Sequence, residues 1–471
     1  MAASRLWIQR FDRAARPELN LREQLCRMLR RAARSAHAPE RLPSTRALAA
    51  DLGLARDTVE QAYQQLAAEG LLQRRQGSGS LLLPPPVPAP VARGLSRPAQ
   101  LSVRGRQLLQ IGACQDPLQP LPFAAGSPDL RDFPWPVWQR LARARERDAI
   151  ALGRYQPPQG RPELRQLLAA HLATARGLRA TAEQLLLLTS SQQALMLLAQ
   201  LLLDPGDAVW VEDPGYPGGR AALVAAGAQL VAVPVDAEGL APAPDLPAPK
   251  LIVLTPAHQY PLGVRLSPAR RTEVLALARR HGSWVIEDDY DSECFEAAQA
   301  LPALQAEDAD TDGRVIYLGS FSKTLMPGLR LAYVALPPGL VEPAIALRSL
   351  QDGHGHGLTQ ALVADFIAGG HYARHLRALR ARVAERRQAL LAGLARHLPQ
   401  ARPVAPQACG LQLCVALPPG TEESCSRRAA ARGVQTPRLS ALCSGPRLEG
   451  WLLGFAALRP EEIEAALMRL A

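Results

Sequence analysis

Three short stretches of this 471-residue chain carry side chains suited to covalent and acid–base chemistry. The first is "SFSKTLMPGLR", which holds Lys323. The chain has one other lysine, Lys250, beside 52 arginines. An amine in a partly desolvated pocket can lose its proton and form a Schiff base with an aldehyde, which a guanidinium cannot do. The second is "SWVIEDDYDSE". Alternate residues of a strand share a face, so Asp288 and Tyr290 point one way while Glu287 and Asp289 point the other. The third is "LLLLTSSQQALMLL", a strand followed by a helix N-terminus, whose free N–H groups and dipole suit a phosphate.

A lysine, a carboxylate near a pyridine nitrogen and a phosphate cradle are the requirements of pyridoxal 5′-phosphate. In that arrangement Lys323 condenses with the aldehyde and Asp288 keeps the ring nitrogen protonated, so that the ring withdraws electrons. Ser190, Ser191 and Gln192 line the phosphate, and Ser320, Ser322 and Arg330 close its other side. Tyr216, in the loop "EDPGYPG", is placed to stack on the ring. Taken singly each residue has a plainer reading: a surface charge, a helix cap, an anchored turn. Their order along one α/β body joins them.

Elements that could position these groups follow from the pattern of apolar runs. From about Pro117 onward, strand-like runs such as "DAVWVEDP", "KLIVLTP", "SWVIEDDY" and "RVIYLGS" alternate with helical segments. Such alternation predicts a mainly parallel sheet covered by helices. Ligands of such sheets bind at the carboxyl ends of the strands, where Asp288 and Lys323 both fall. A long helix is expected over about His371 to His397, and a small α+β segment from about Gly410. The proline-rich run 81–100 lacks the donors a central strand or helix interior needs and favours an extended spacer. The expected division is therefore 1–83, a linker 84–117, and a large domain 118–471. No apolar run approaches a membrane span, and the seven scattered cysteines show neither zinc-type pairs nor a disulfide framework. A cytoplasmic protein is expected.

Residues 1–83 hold fourteen arginines against eight acids, a balance that suits a polyanion such as double-stranded DNA. "RALAADLG" reads as a short helix ending at Gly53, and "RDTVEQAYQQLAAEG" as a second, with Val59, Ala62, Tyr63 and Leu66 facing inward. Two helices joined by a tight glycine turn make a helix-turn-helix. The first turns of its second helix present Arg56, Thr58 and Gln61 toward base edges. Next, "LLQRRQGSGSLL" reads as a hairpin wing, with Arg74 and Arg75 beside its turn for phosphates.

The stretch "LPSTRALAADLGLARDTVEQAYQQLAAEGLLQRRQGSGS" resembles the GntR-type winged helix of bacterial regulators. The resemblance puts Arg46, Arg56 and the wing Gly77, Ser78 and Gly79 at DNA-contacting positions. One departure is Ala55, where a capping serine is frequent. Residues 118 to 471, through "TPAHQYPLG", "IEDDYDSE" and "YLGSFSKTLMPGLRLAYVALP", resemble fold-type I aminotransferases. The whole chain thus resembles the MocR-type subfamily of GntR regulators. The resemblance implies an internal aldimine at Lys323, pairing of Asp288 with the pyridinium, contact of Tyr290 with the ring hydroxyl, and a homodimer. The large domain is expected to sense an amine, an amino acid or the cofactor itself. Other departures are Tyr260, where aminotransferases carry asparagine, Ser190 in place of a frequent glycine, and Leu452, where the arginine gripping a substrate carboxylate is expected. Arg220 is a candidate substitute for that arginine. A regulator is the favoured expectation; a working class I aminotransferase with a tethered winged helix is the alternative.

Overall fold

The computed structural model describes residues 11–12, 16, 18–35, 38–75, 79–84, 100–111, 120–124, 126–294, 301–308, 313–405, 410–445 and 448–471. Contacts divide the chain into two units, Met1–Gln100 and Leu101–Ala471. In the first, helices α1 (Leu21–Ser35), α2 (Thr45–Leu52) and α3 (Arg56–Ala68) pack with strands β1 (Glu40–Leu42), β2 (Leu72–Arg75) and β3 (Gly79–Leu82). The strands form an antiparallel sheet in the order β1-β3-β2. Ser44 starts α2 by accepting from the Ala47 N–H, and Gly53 ends it in the left-handed region at φ 62°. Such a stop favours glycine, which has no Cβ to clash. Ala55 gives α3 no side-chain cap. Val59, Ala62, Tyr63 and Leu66 are all buried, joined to Leu25, Leu29, Leu48 and Leu82 in one core.

In the second unit, helix α4 (Val103–Ile111) lies inside the stretch expected to be linker. The run 99–116 has no proline, so nothing there forbids a helix. Arg104 Nη1 donates to the Ala225 carbonyl at 3.1 Å, which ties α4 to this unit. The body of the unit is an eight-stranded sheet with strand order β4-β11-β10-β9-β8-β5-β6-β7. These are β4 (Leu185–Leu188), β5 (Ala208–Asp213), β6 (Gln229–Asp236), β7 (Gly239–Leu240), β8 (Leu251–Leu254), β9 (Trp284–Asp289), β10 (Val315–Ser320) and β11 (Ala332–Ala335). Neighbours from β10 through β9, β8 and β5 to β6 run parallel, while β11 and β7 pair antiparallel. The antiparallel β11 has a local cause. Only residues 321–331 separate it from β10, too short a connection for a helical crossover, so the chain turns straight back. That turn carries Lys323.

Helix α5 (Ser191–Leu202) follows β4, and α6 (Pro217–Ala226) follows β5. A long helix, α7 (His371–His397), leads to a second sheet of three antiparallel strands, β12 (Arg402–Pro403), β13 (Gln412–Ala416) and β14 (Gly450–Gly454). No helix among the described residues is long and apolar enough to cross a membrane.

The two faces of β9 differ as the alternation demands. Glu287 accepts from the N–H groups of Leu304 and Gln305, capping a short helix. Asp289 takes Arg176 Nε at 2.8 Å and the Tyr317 hydroxyl at 2.7 Å. Arg176 and Asp289 are both buried, so removing the cation strands a carboxylate in the interior. Arg176→Ala is expected to destabilise the second unit by about 3–5 kcal/mol, read as a fall in its denaturant midpoint at unchanged slope.

Candidate functional site

The opposite face of β9 opens on a small cavity. Asp288 lines it together with Glu212, Gly215, Tyr216, Arg220 and Thr255. Asp288 is 7% exposed, and its Oδ1 has no hydrogen-bond partner among the described residues. Burial pushes its pKa up to about 7, with Asp289 and Asp291 adding to the rise and Lys323 opposing it. Glu212, at the end of β5, is also pushed up to about 7, by burial first, against the hydrogen bonds from Thr255. Thr255 donates to Glu212 Oε2 through its N–H and, at 2.6 Å, through its hydroxyl. Two buried carboxylates thus face one pocket, one of them with an oxygen left over.

Lys323 Nζ donates to the Gly126 carbonyl at 2.5 Å. A Cβ at Gly126, whose φ is 82°, would stand 2.7 Å from that nitrogen, so the backbone comes this close because position 126 has no side chain. Next in sequence, Thr324 holds the turn in place. Its hydroxyl stands 3.1 Å from the Tyr372 hydroxyl, and its carbonyl lies 2.8 Å from His375 Nε2, both on α7. Three aromatic rings rim the site. Tyr216 meets Tyr260 edge-on at 5.7 Å between centroids, and Tyr260 meets Tyr290 at 6.0 Å. Burial raises the Tyr290 phenol well above its ordinary value, followed by the charge of Asp291.

The residues expected to hold a phosphate form a helix start and a serine pair. Ser190 is the N-cap of α5, accepting from the Gln193 N–H at 3.1 Å, and Ser191 is the first residue of that helix. Gln192 donates to the Gly218 carbonyl at 2.9 Å, and its Oε1 has no partner among the described residues. Ser320 donates to Ser322 Oγ at 3.0 Å and accepts from its N–H. Arg330 adopts the left-handed φ of 50° after a short 3-10 turn. Its side chain is exposed.

Leu452 lies on β14 opposite Cys414, 1% exposed, in an apolar cluster with Leu262 and Leu439 that Tyr260 packs against. Arg220 is occupied. It pairs with Asp213 at 2.9 Å and donates to the Glu212 carbonyl, while Asp213 also takes the N–H groups of Ser444 and Gly445. Arg220, the candidate substitute for a carboxylate-gripping arginine, is therefore committed to a structural pair.

On the first unit, Arg46, Arg56 and Gln61 are exposed and Thr58 is half-buried. Arg74 is paired with Glu60 of α3 at 2.7 Å, so the wing strand is fastened to the recognition helix by a charge expected to meet phosphate. Gly79 begins β3 at φ 90°. Gly77, Ser78 and the side chain of Arg75 lie outside the described residues. Sequence reasoning passed over Glu60, Glu212, His258, Asp291 and Gly126. Glu212 stands at a strand end just as Asp288 does, which was a usable signal. Gly126 meets Lys323 across 197 positions, and nothing local marks it.

A winged helix joined to an aminotransferase-type body defines a class of bacterial regulatory proteins. Residues 20–82 match the family described as bacterial regulatory proteins, gntR family, and residues 121–470 match aminotransferase class I and II. The chain belongs to the MocR-type subfamily of GntR regulators. It is 35% identical over 469 residues to the probable rhizopine catabolism regulatory protein MocR of Rhizobium meliloti, covering 98% of this chain and 94% of that one. It is 32% identical over 390 residues to the pyridoxine biosynthesis transcriptional regulator PdxR of Corynebacterium glutamicum, covering 82% and 80% respectively. Among solved structures it is similar to LysN, the α-aminoadipate aminotransferase of Thermus thermophilus. That match has a TM-score of 0.67 and 29% identity, over 78% of this chain and 93% of that chain.

The charges of the two units lead to measurable effects. Asp288 binds its proton more tightly folded than unfolded, so the cofactor-free protein loses stability as pH rises from about 4 to about 7. Its unfolding temperature is expected to fall between pH 5 and pH 8, and to fall less in Asp288→Asn. Glu60→Gln removes a negative charge from α3 and releases Arg74. It is expected to change folding stability by less than about 1 kcal/mol. Anisotropy titrations on duplex DNA should show tighter binding and a log–log salt slope steeper by about one.

Proposed function

We propose that the chain is a pyridoxal 5′-phosphate-dependent, DNA-binding transcriptional regulator whose large domain senses a small amine, an amino acid or the cofactor itself. One observation carries the cofactor: the orphaned, buried Asp288 Oδ1 on the same cavity as Tyr216, within electrostatic reach of Lys323. A protonated pyridine nitrogen is the cationic donor such an oxygen lacks. The residues present fit the group. Lys323 would hold its aldehyde carbon, Asp288 its ring nitrogen and Tyr290 its ring oxygen, with Tyr216 and Tyr260 flanking the ring. Ser190, Ser191, Gln192, Ser320, Ser322 and Arg330 would hold the phosphate. When bound, the cofactor supplies an aldehyde that condenses with primary amines and a ring that withdraws electrons.

The chain's own groups do the rest. Ionised Asp288 favours a protonated ring nitrogen, and the burial that lifts its pKa also strengthens that pairing once the cation arrives. The α5 N-terminus and Arg330 supply donors and positive charge for a dianion. Arg46, Arg56, Thr58 and Gln61 would read or grip duplex DNA. A homodimer is supported by exposed apolar side chains on the large domain. Tyr155 is 96% exposed and Leu350 84%, and Tyr155 packs edge-on against His354, close after Leu350. Burial of Leu452 in an apolar cluster and the commitment of Arg220 to Asp213 weigh against efficient turnover of amino acids.

Mixing the protein with pyridoxal phosphate should give a visible absorbance band that is lost in Lys323→Ala. DNase footprinting on the DNA upstream of its own gene should show protection that changes when the cofactor is added. No specific protection under either condition refutes the regulator. Rapid steady-state transamination would favour the enzyme reading instead.

A further inference from the structure

Resting on the reading that the cavity takes pyridoxal phosphate, we infer that His258 and Asp291 are positioning residues that turn the phenol proton of Tyr290 toward the cofactor ring. The Nδ1 nitrogen of His258 stands 3.0 Å from the Tyr290 hydroxyl. The same nitrogen stands 3.0 and 3.1 Å from the two carboxylate oxygens of Asp291. A ring nitrogen carries either a proton or a lone pair, and an ionised carboxylate only accepts. Asp291 is 2% exposed and His258 4%, so a lone pair on Nδ1 would face a buried carboxylate with no proton between them. Nδ1 therefore carries the proton and gives it to Asp291. The Tyr290 hydroxyl meets an N–H there rather than an acceptor. Its own proton is left for another acceptor, and Asp288 of the pocket lies close enough to act on this phenol.

The trio is held rigidly. The His258 and Tyr290 rings are stacked, 5.8 Å between centroids and 27° between planes. Gly410, at φ 108°, backs onto the pair; a Cβ there would stand 2.6 Å from His258 Cε1. The charged and titratable groups facing the trio are Asp288, Glu212, Tyr260 and Cys294, with Lys323 acting on Asp288. Asp288 and Glu212 answer to the ring nitrogen and to Thr255, which leaves Tyr290 as the donor for the ring oxygen.

The test follows the visible absorbance of the full-length, pyridoxal phosphate-loaded protein against pH. A hydrogen bond donated to the ring oxygen favours its anion, so losing that bond makes the bound chromophore keep its proton to higher pH. Tyr290→Phe is expected to raise the titration midpoint by about 1 pH unit, the equivalent of one hydrogen bond to a charged group. Asp291→Asn replaces an acceptor with an amide that can donate to Nδ1. It is expected to raise the midpoint similarly, and to add nothing in the Tyr290→Phe background. His258→Asn, whose amide nitrogen can stand in for the Nδ1–H, is expected to keep the wild-type midpoint. An unchanged midpoint in Asp291→Asn, an additive shift in the double variant, or a full shift in His258→Asn overturns the assignment. Should Asp291→Asn fail to fold, His258→Ala takes its place, with a raised midpoint expected and an unchanged one overturning it. Wild-type protein that takes up no colour defeats the cofactor reading itself, which variants that colour but do not shift leave standing.

Discussion

Five carboxylates buried within seven residues set the terms for the large domain. Glu287, Asp288, Asp289, Asp291 and Glu293 are each less than 9% exposed. A buried carboxylate is costly unless it is paired or hydrogen-bonded, and the chain supplies partners from separate places. Glu287 receives the N–H groups of Leu304 and Gln305. Asp289 receives Arg176 and Tyr317, and Asp291 receives His258. Glu293 receives His171 and the Tyr372 hydroxyl. Each pair pins an element that comes from elsewhere in the sequence onto the end of β9. Only Asp288, among these five, keeps a buried oxygen without a partner among the described residues. The same crowding that makes the segment demanding to fold leaves one carboxyl group aimed at the pocket.

The lysine is placed by a different constraint. Because β10 reverses directly into β11, Lys323 sits on a short connection rather than at the mouth of a crossover helix. Thr324 anchors that connection to α7 through Tyr372 and His375, and the Gly126 carbonyl takes a proton of the amine from the other side. A side chain at the end of a flexible stem is thereby held where its charge can lower the cost of ionising Asp288.

Much of this was legible in the sequence wherever one periodicity governs the outcome. Strand alternation separated Asp288 from Glu287 and Asp289, and the structure gives the two faces different partners. Helical spacing identified Val59, Ala62, Tyr63 and Leu66 as an inward face, and all four are buried. Legibility failed where closure over a long chain decides. The contact of Lys323 with Gly126 and that of His258 with Asp291 join segments far apart in the sequence, and no local pattern records them. Arg74 illustrates a third case. Charge counting treated it as a free cation, but Glu60, one turn into α3, competes for it across the wing. The helix at Val103–Ile111 is masked in the sequence by the prolines that precede it, although its own run contains none.

The same closure bears on how occupancy of the pocket could be felt elsewhere in the large domain. A free ammonium has three N–H donors, and one of them is spent on the Gly126 carbonyl. Were Lys323 to hold an aldehyde carbon, its nitrogen would keep at most one proton, and the Gly126 carbonyl would compete for a scarcer donor. Gly126 is three residues from Phe123, whose carbonyl accepts from the Gly454 N–H on β14 at 3.1 Å. Gln412 on β13 lies beside it, its Oε1 3.7 Å from where a Cβ of Gly126 would stand. The Gly126 segment is stitched to the C-terminal sheet, and that sheet's strand β13 is entered through Gly410, against the His258–Asp291 pair. Lys323, through the Gly126 segment, and Tyr290, through His258 and Gly410, thus both border the same small sheet, so a rearrangement at either side chain bears on how that sheet seats.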